Sequence, residues 1–159
     1  MNNYNPPRKD AKQALIAAQK YCAYKERCHK EVRNKLYEYG LNTTDVETVL
    51  MELIESNFIN EERFALAYAG GKFRVKKWGR LKITAELQRR DVSPYCIKKA
   101  LETIVEKDYR NTLYQMVEKK LRDYRGDNEF VQNNKVANYC FNKGYESGLI
   151  WEVIKDCTS

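Results

Sequence analysis

Proline and glycine are scarce in this chain, with 3 and 7 residues among 159. Both residue types interrupt helices, so their scarcity permits long helices and argues against a turn-rich β-sandwich. Histidine occurs once, as His29. With Cys22 and Cys28 nearby it matches no common zinc spacing, and no second imidazole exists to complete a site. The five cysteines, at 22, 28, 96, 140 and 157, are an odd, irregular set without a C-x-x-C pair. That suits reduced thiols in a cytoplasm rather than a disulfide framework. No stretch approaches the roughly 18 apolar residues of a membrane span, and Met1–Pro7 lacks the apolar core of a secretory signal. A cytoplasmic protein with no membrane partner is expected. G-x-S-x-G and P-loop patterns are absent, so neither an enzyme nor a cofactor or metal is expected.

Hydrophobic residues make up 43% of the chain and charged residues 32%, the balance of a globular protein that buries its own core. The net charge is +7 and the pI about 9.1. Such a balance fits a polyanionic partner, be it nucleic acid, an acidic protein groove or an anionic membrane, without choosing among them.

Apolar residues recur at helical spacing in triplets of segments. Leu15, Ile16, Ala18 and Cys22 predict a first helix, Val32, Leu36 and Tyr39 a second, and Val46, Val49, Leu50, Leu53 and Ile54 a third. Gly40 ends the second helix, and either Asn42 or Thr44 opens the third. The pattern returns with an N-cap at Asn60, a stripe of Phe64, Ala67 and Tyr68, a helix carrying Ile83 and Leu87, and a Ser93-Pro94 start before Ile97, Leu101 and Ile104. A slide of 51 residues places Val32 on Ile83, Leu36 on Leu87, Gly40 on Asp91, Leu41 on Val92, Val46 on Ile97 and Leu50 on Leu101. A further 53 residues reach Val136, Cys140, Gly144, Tyr145, Ile150 and Ile154. A first helix from about Tyr109 to Tyr124 precedes them, and Asp127 or Asn128 opens the second. The fold expected is all-α, an elongated and potentially curved tandem array of three three-helix, helix-turn-helix-like repeats. Its expected parts are a flexible segment 1–10 and repeats at 11–57, 58–107 and 108–159. The competing reading is three coincidentally similar helix triplets in one globule.

The densest chemistry lies between residues 72 and 90, where Lys72, Arg74, Lys76, Lys77, Arg80, Lys82, Arg89 and Arg90 are accompanied by one acid, Glu86. Such a cluster can neutralise phosphates or face an acidic protein surface. Trp78 in its midst is expected chiefly to pack, with contact to a partner second. A weaker basic group, Lys119, Lys120, Arg122 and Arg125, is interleaved with acids and reads as plain surface. Tyr68 and Tyr145 occupy repeat slots and read as structural, as does Cys140 in the slot of Leu36.

Two segments carry a family resemblance. Asn60-Glu61-Glu62-Arg63-Phe64-Ala65 with Tyr68, and Lys77-Trp78-Gly79-Arg80-Leu81-Lys82-Ile83 with Glu86-Leu87, are similar to the signature segments of the RecX regulators. The resemblance spans about Ala11 to Ile154 and is most specific over residues 58–92. The chain departs from the family pattern at Lys77, where Gly commonly precedes the Trp, and at Cys28, where a capping Ser is common. It departs also at Gly70-Gly71, which would interrupt a helix that relatives fill with better helix formers. What the resemblance implies is a non-enzymatic, monomeric modulator of the RecA recombinase. Such a protein would bind the RecA–DNA filament, limit its growth, ATP hydrolysis and strand exchange, and touch single- and double-stranded DNA weakly and without sequence preference. The alternative from the residues is a helix-turn-helix reader whose recognition helix, Arg80 to Arg90, presents Gln88, Arg89 and Arg90 to bases.

Overall fold

The computed structural model describes residues 6–159, and among these it is all-helical. The elements are α1 (Ala11–Tyr24), α2 (His29–Glu38), α3 (Thr43–Glu55), α4 (Glu61–Gly71), a π-helical turn (Lys72–Lys76), α5 (Arg80–Arg89), α6 (Pro94–Glu102), α7 (Glu106–Asp123), α8 (Glu129–Asn142) and α9 (Ser147–Thr158). They form three triplets, here called repeats 1, 2 and 3. The surface of 10260 Å² exceeds the roughly 8300 Å² of a compact globule of this mass, as an extended array requires.

Polar caps set the helix starts. Asp10 and Gln13 form a reciprocal capping box at α1. Asn42, rather than Thr44, caps α3 by accepting from the Asp45 amide at 2.8 Å. Asn60 caps α4, and Ser93 caps α6 with Pro94 following. Asn128, rather than Asp127, caps α8. The second helix of every repeat ends in the same left-handed step, at Gly40 (φ +90°), Asp91 (φ +56°) and Gly144 (φ +99°). Asp tolerates this conformation better than most side chains. Of the segment 1–10, residues 1–5 lie outside the described residues. Beyond them, Lys9 donates its amide to the Tyr39 carbonyl at 2.9 Å.

The apolar residues gather into two cores. One lies within α1–α3, around Ala14, Ala18, Val32, Leu36, Val46 and Leu53. The other runs unbroken through α4–α9 and holds Ile83, Leu87, Tyr109, Val136, Cys140, Tyr145 and Ile154. Leu36, Leu87 and Cys140 are all fully buried, as their shared slot requires. Several stripe positions differ from expectation. Ile16 is 53% exposed and Ala14 takes its place inside, while Ile54 sits at the exposed rim of α3. On α4 the buried residues are Phe64, Ala65 and Ala69; Ala67 faces solvent and Tyr68 is half-buried. The reason is close packing of α4 on α6, where the buried positions Ala65, Ala69, Cys96 and Ala100 are all small. Gly70-Gly71 does not break the helix: α4 runs through both and widens into the π turn.

Candidate nucleic-acid and partner interface

The basic segment begins where α4 loosens. The Lys77 amide reaches back to the carbonyls of Lys72 and Phe73, and the chain stops at Lys77 in a left-handed conformation (φ +60°). A side chain other than glycine is strained there. Two bonds hold the turn: the Lys77 amine donates to the Arg74 carbonyl at 3.0 Å, and the Tyr145 hydroxyl donates to the Lys77 carbonyl at 2.9 Å.

Trp78, the next residue, is half-buried against the second core. Its exposed part carries a row of alternating cations and rings. The Lys82 amine stands 4.6 Å from the Trp78 ring and the Lys72 amine 5.0 Å from it. Lys72 also approaches Tyr68 at 5.4 Å, and the Arg90 guanidinium covers Tyr68 at 4.8 Å. Trp78 meets Tyr68 edge-on at 6.4 Å. Tyr68 therefore joins the cluster, although its repeat slot reads as structural. The signal available was its helical i,i+4 spacing to Lys72. Arg74, Lys76 and Arg89 are exposed. Glu86, the lone acid, pairs with both Arg89 (3.2 Å) and Arg90 (3.3 Å).

Arg80 belongs to a different constellation. Its guanidinium lies 3.7 Å over the Tyr109 ring, donates to Glu146 at 2.7 Å and also engages Glu106. Its amide donates to the Tyr109 hydroxyl at 3.1 Å, and that hydroxyl donates to Glu146. Burial, reinforced by the Glu146 hydrogen bond, pushes the Tyr109 hydroxyl pKa far up, so the phenol keeps its proton. These partners come from repeat 3, and sequence reading had no means of pairing them with Arg80. Gly79, just before it, presses on repeat 3: its amide donates to the Lys143 carbonyl at 2.7 Å, and the Leu81 amide donates to the Gly144 carbonyl at 2.9 Å. A Cβ on Gly79 would stand 2.4 Å from Gly144 backbone atoms.

The remaining chemistry is quiet. Among the described residues no three His, Cys, Asp or Glu side chains gather where they could hold a metal. Burial pushes the thiols of Cys22 and Cys28 up to about 11 and that of Cys140 to about 12, so they stay protonated at neutral pH. Cys28 takes the N-cap position of α2 without bonding the backbone; its thiol donates to Glu31 at 3.3 Å. No helix is long and apolar enough to cross a membrane among the described residues.

A tandem array of three-helix units, here with a basic, aromatic-studded face, belongs to the class of helical-repeat proteins. Comparison with known families narrows this. Residues 60–101 match the model of the second three-helix domain of RecX, and residues 107–154 match that of the third. Together these cover more than half of the chain, and the chain belongs to the RecX family of regulatory proteins. The regulatory protein RecX of Prosthecochloris aestuarii is 27% identical over 147 residues, covering 92% of this chain and 95% of that one. The regulatory protein RecX of Clostridium perfringens is 27% identical over 132 residues. The chain spans 61% of that relative's length, and 52% of the Bacillus cytotoxicus relative's. The crystal structure of RecX from Lactobacillus salivarius superposes with a TM-score of 0.84 at 22% identity, covering 92% of this chain and 95% of that one, a likeness of fold.

Proposed function

We propose that this chain regulates the RecA recombinase by binding its filament on DNA, mainly restraining filament growth, ATP turnover and strand exchange, and that it does so as a binding protein rather than a catalyst. Family membership supports the regulatory part. The observation that carries the contact surface is the row Lys82–Trp78–Lys72–Tyr68–Arg90, with Arg74, Lys76, Lys77 and Arg89 around it. Cations interleaved with partly exposed rings suit a surface made of phosphates, bases and acidic side chains. Arg80 serves this surface indirectly, by fixing repeat 3 against the start of α5. DNA alone binds weakly and without sequence preference in this reading, and the protein acts as a monomer in the cytoplasm.

A sequence-specific reader is less well supported. A recognition helix presents its N-terminal residues to base edges, whereas the N-terminus of α5 faces the carbonyls of Lys143 and Gly144.

The test replaces Lys72, Lys76, Lys82 and Arg89 with Ala. None of these side chains makes a hydrogen bond or ion pair between repeats, and Ala keeps the Cβ by which Lys82 packs beside Gly144, so the fold should persist. Inhibition of recombinase ATP turnover on single-stranded DNA should weaken about tenfold, equivalent to roughly 1.4 kcal/mol. The control removes four exposed charges elsewhere, at Lys12, Lys20, Lys98 and Lys155. Equal losses in both variants would reduce the surface to bulk charge. A parent protein with no effect on recombinase turnover would refute the function itself.

A further inference from the structure

A second basic constellation lies at the seam between repeats 2 and 3. Lys77, at the end of the π turn, Lys119 on α7 and Lys143 at the end of α8 line one cleft of about 260 Å³ together with Thr112, Gln115 and Tyr139. No acidic side chain lines it. Among the described residues none of the three lysines has a carboxylate within ion-pair distance, whereas Lys120, Lys135 and Arg110 of repeat 3 all do. Three unneutralised amines from three elements concentrate positive potential in a concave site, which favours an anion. Tyr139 supplies a ring beside them: the Lys120 amine stands 4.1 Å and the Lys143 amine 5.8 Å from its centroid.

This cleft is contiguous with the row on repeat 2. Trp78 is bonded to Gly79, whose amide donates to the carbonyl of Lys143, and Lys82, over Trp78, lies so near Gly144 that a Cβ added there would stand 2.4 Å from the Lys82 Cβ. Cations and rings thus continue from Arg90 and Tyr68, through Trp78 and Lys82, to Lys143 and Tyr139. An acidic protein surface would use the lysines but gains little from the rings. A nucleic-acid strand uses both, since each nucleotide brings one phosphate and one π face. Stacking a base on an aromatic side chain is worth about two- to threefold more than an exposed cation–π contact. A base can therefore displace the amines from Tyr139 and leave them free for phosphate.

We propose that the repeat 2–repeat 3 seam is a binding site for single-stranded nucleic acid, with a backbone phosphate held by Lys77, Lys119 and Lys143 and a base stacked on Tyr139. The proposal deepens the filament-binding function, on which it rests, by assigning the DNA strand rather than the recombinase to this part of the array.

The test measures binding of a fluorescent oligothymidylate to the full chain without recombinase, across a salt titration. Lys119→Ala with Lys143→Ala should weaken binding about tenfold at low salt and flatten the logarithmic salt slope by about 0.7, the contribution of the one single-strand phosphate contact that is lost. Lys12→Ala with Lys20→Ala removes as many exposed charges elsewhere and should leave the slope nearly unchanged. Tyr139→Leu should weaken binding severalfold, and Tyr139→Phe, which keeps the ring, should not. Equal slopes for the two lysine pairs, or equal affinities for Leu and Phe at 139, would overturn the site. Recombinase inhibition separates the two claims. If the seam pair loses inhibition while oligothymidylate binding is unchanged, the cleft faces an acidic protein surface and the strand assignment fails, although regulation stands. If the parent leaves recombinase turnover untouched yet the seam pair loses the oligonucleotide, the strand site stands and the regulatory function fails.

Discussion

Replacing Gly79 with alanine tests how repeats 2 and 3 are joined. The new methyl group would lie 2.4 Å from the carbonyl carbon and oxygen of Gly144 and 2.5 Å from the Tyr145 nitrogen. All three are backbone atoms, so no rotamer change relieves them, and each is about 1 Å closer than an ordinary contact. Moving the repeats apart by that ångström would carry the Gly79–Lys143 and Leu81–Gly144 hydrogen bonds, now 2.7 and 2.9 Å, out of range. Two lost hydrogen bonds cost about 1–3 kcal/mol and the overpacking itself about 1–3 kcal/mol, so Gly79→Ala should destabilise by about 2–6 kcal/mol. Gly71→Ala is the control, because nothing lies within 4 Å of its Cβ position; a glycine at the end of a helix then gains about 0.4–1 kcal/mol on replacement. The two tryptophans, Trp78 and Trp151, both lie in repeats 2 and 3. In urea denaturation, tryptophan fluorescence should therefore report the damaged part and circular dichroism the whole. Gly79→Ala should lower the fluorescence midpoint well below the parent's while part of the helical signal, from α1–α3, survives to higher denaturant. A Gly79→Ala variant within about 0.5 kcal/mol of the parent, or no worse than Gly71→Ala, would refute the close-approach account.

Three further outcomes follow from the packing. Leu36→Ala and Leu87→Ala should each cost about 2–5 kcal/mol in denaturant melts, the first in circular dichroism alone and the second in both signals, because the two leucines sit in different cores. Lys77→Gly should stabilise by up to about 1 kcal/mol in the same assay, the relief of left-handed strain outweighing the extra freedom glycine gives the unfolded chain; a loss of 1 kcal/mol or more would mean that the lysine amine's bond to Arg74 outweighs the strain. With Ellman's reagent at pH 8, Cys157 should react first. Cys22, Cys28 and Cys140, whose thiols burial pushes up to about 11, 11 and 12, should remain blocked until the protein unfolds, and rapid labelling of any of them would contradict their burial.

The repeat architecture was legible because it rests on local chemistry that recurs. Gly40, Asp91 and Gly144 mark one left-handed step at offsets of 51 and 53 residues, and Leu36, Leu87 and Cys140 sit one turn before it. The caps of α3 and α8 were legible to within a pair of candidates, and geometry chose Asn42 and Asn128, whereas the Asp10 cap of α1 went unread. Less was legible where distant segments decide. Helical period points to an apolar side only within a few tens of degrees, so on α1 it chose Ile16 where Ala14 is buried, and on α4 it misplaced Ala67 once small residues let α4 and α6 close up. Charge density picked out residues 72–90 but could not separate Arg80 from its neighbours, because Glu146 lies 66 residues away and Tyr109 lies 29 residues away. The seam cleft was hidden for the same reason: Lys119 looks like ordinary surface until Lys77 and Lys143 are brought beside it.

The division into two cores governs how the molecule yields to force. Repeats 2 and 3 share one apolar interior and are stitched by Gly79, Tyr109 and Tyr145, so they move as a single stiff arm. Among the described residues, repeat 1 contributes only Cys28 to that interior. Otherwise it is tied by polar contacts, Arg63 to Glu26 at 2.6 Å and Lys30 to the Arg89 carbonyl at 2.9 Å, of a kind that water and salt readily replace. A bending load along the array therefore concentrates at the joint beside Arg89 and Arg90, and the angle at which the short arm swings there sets the girth of anything the two arms can embrace.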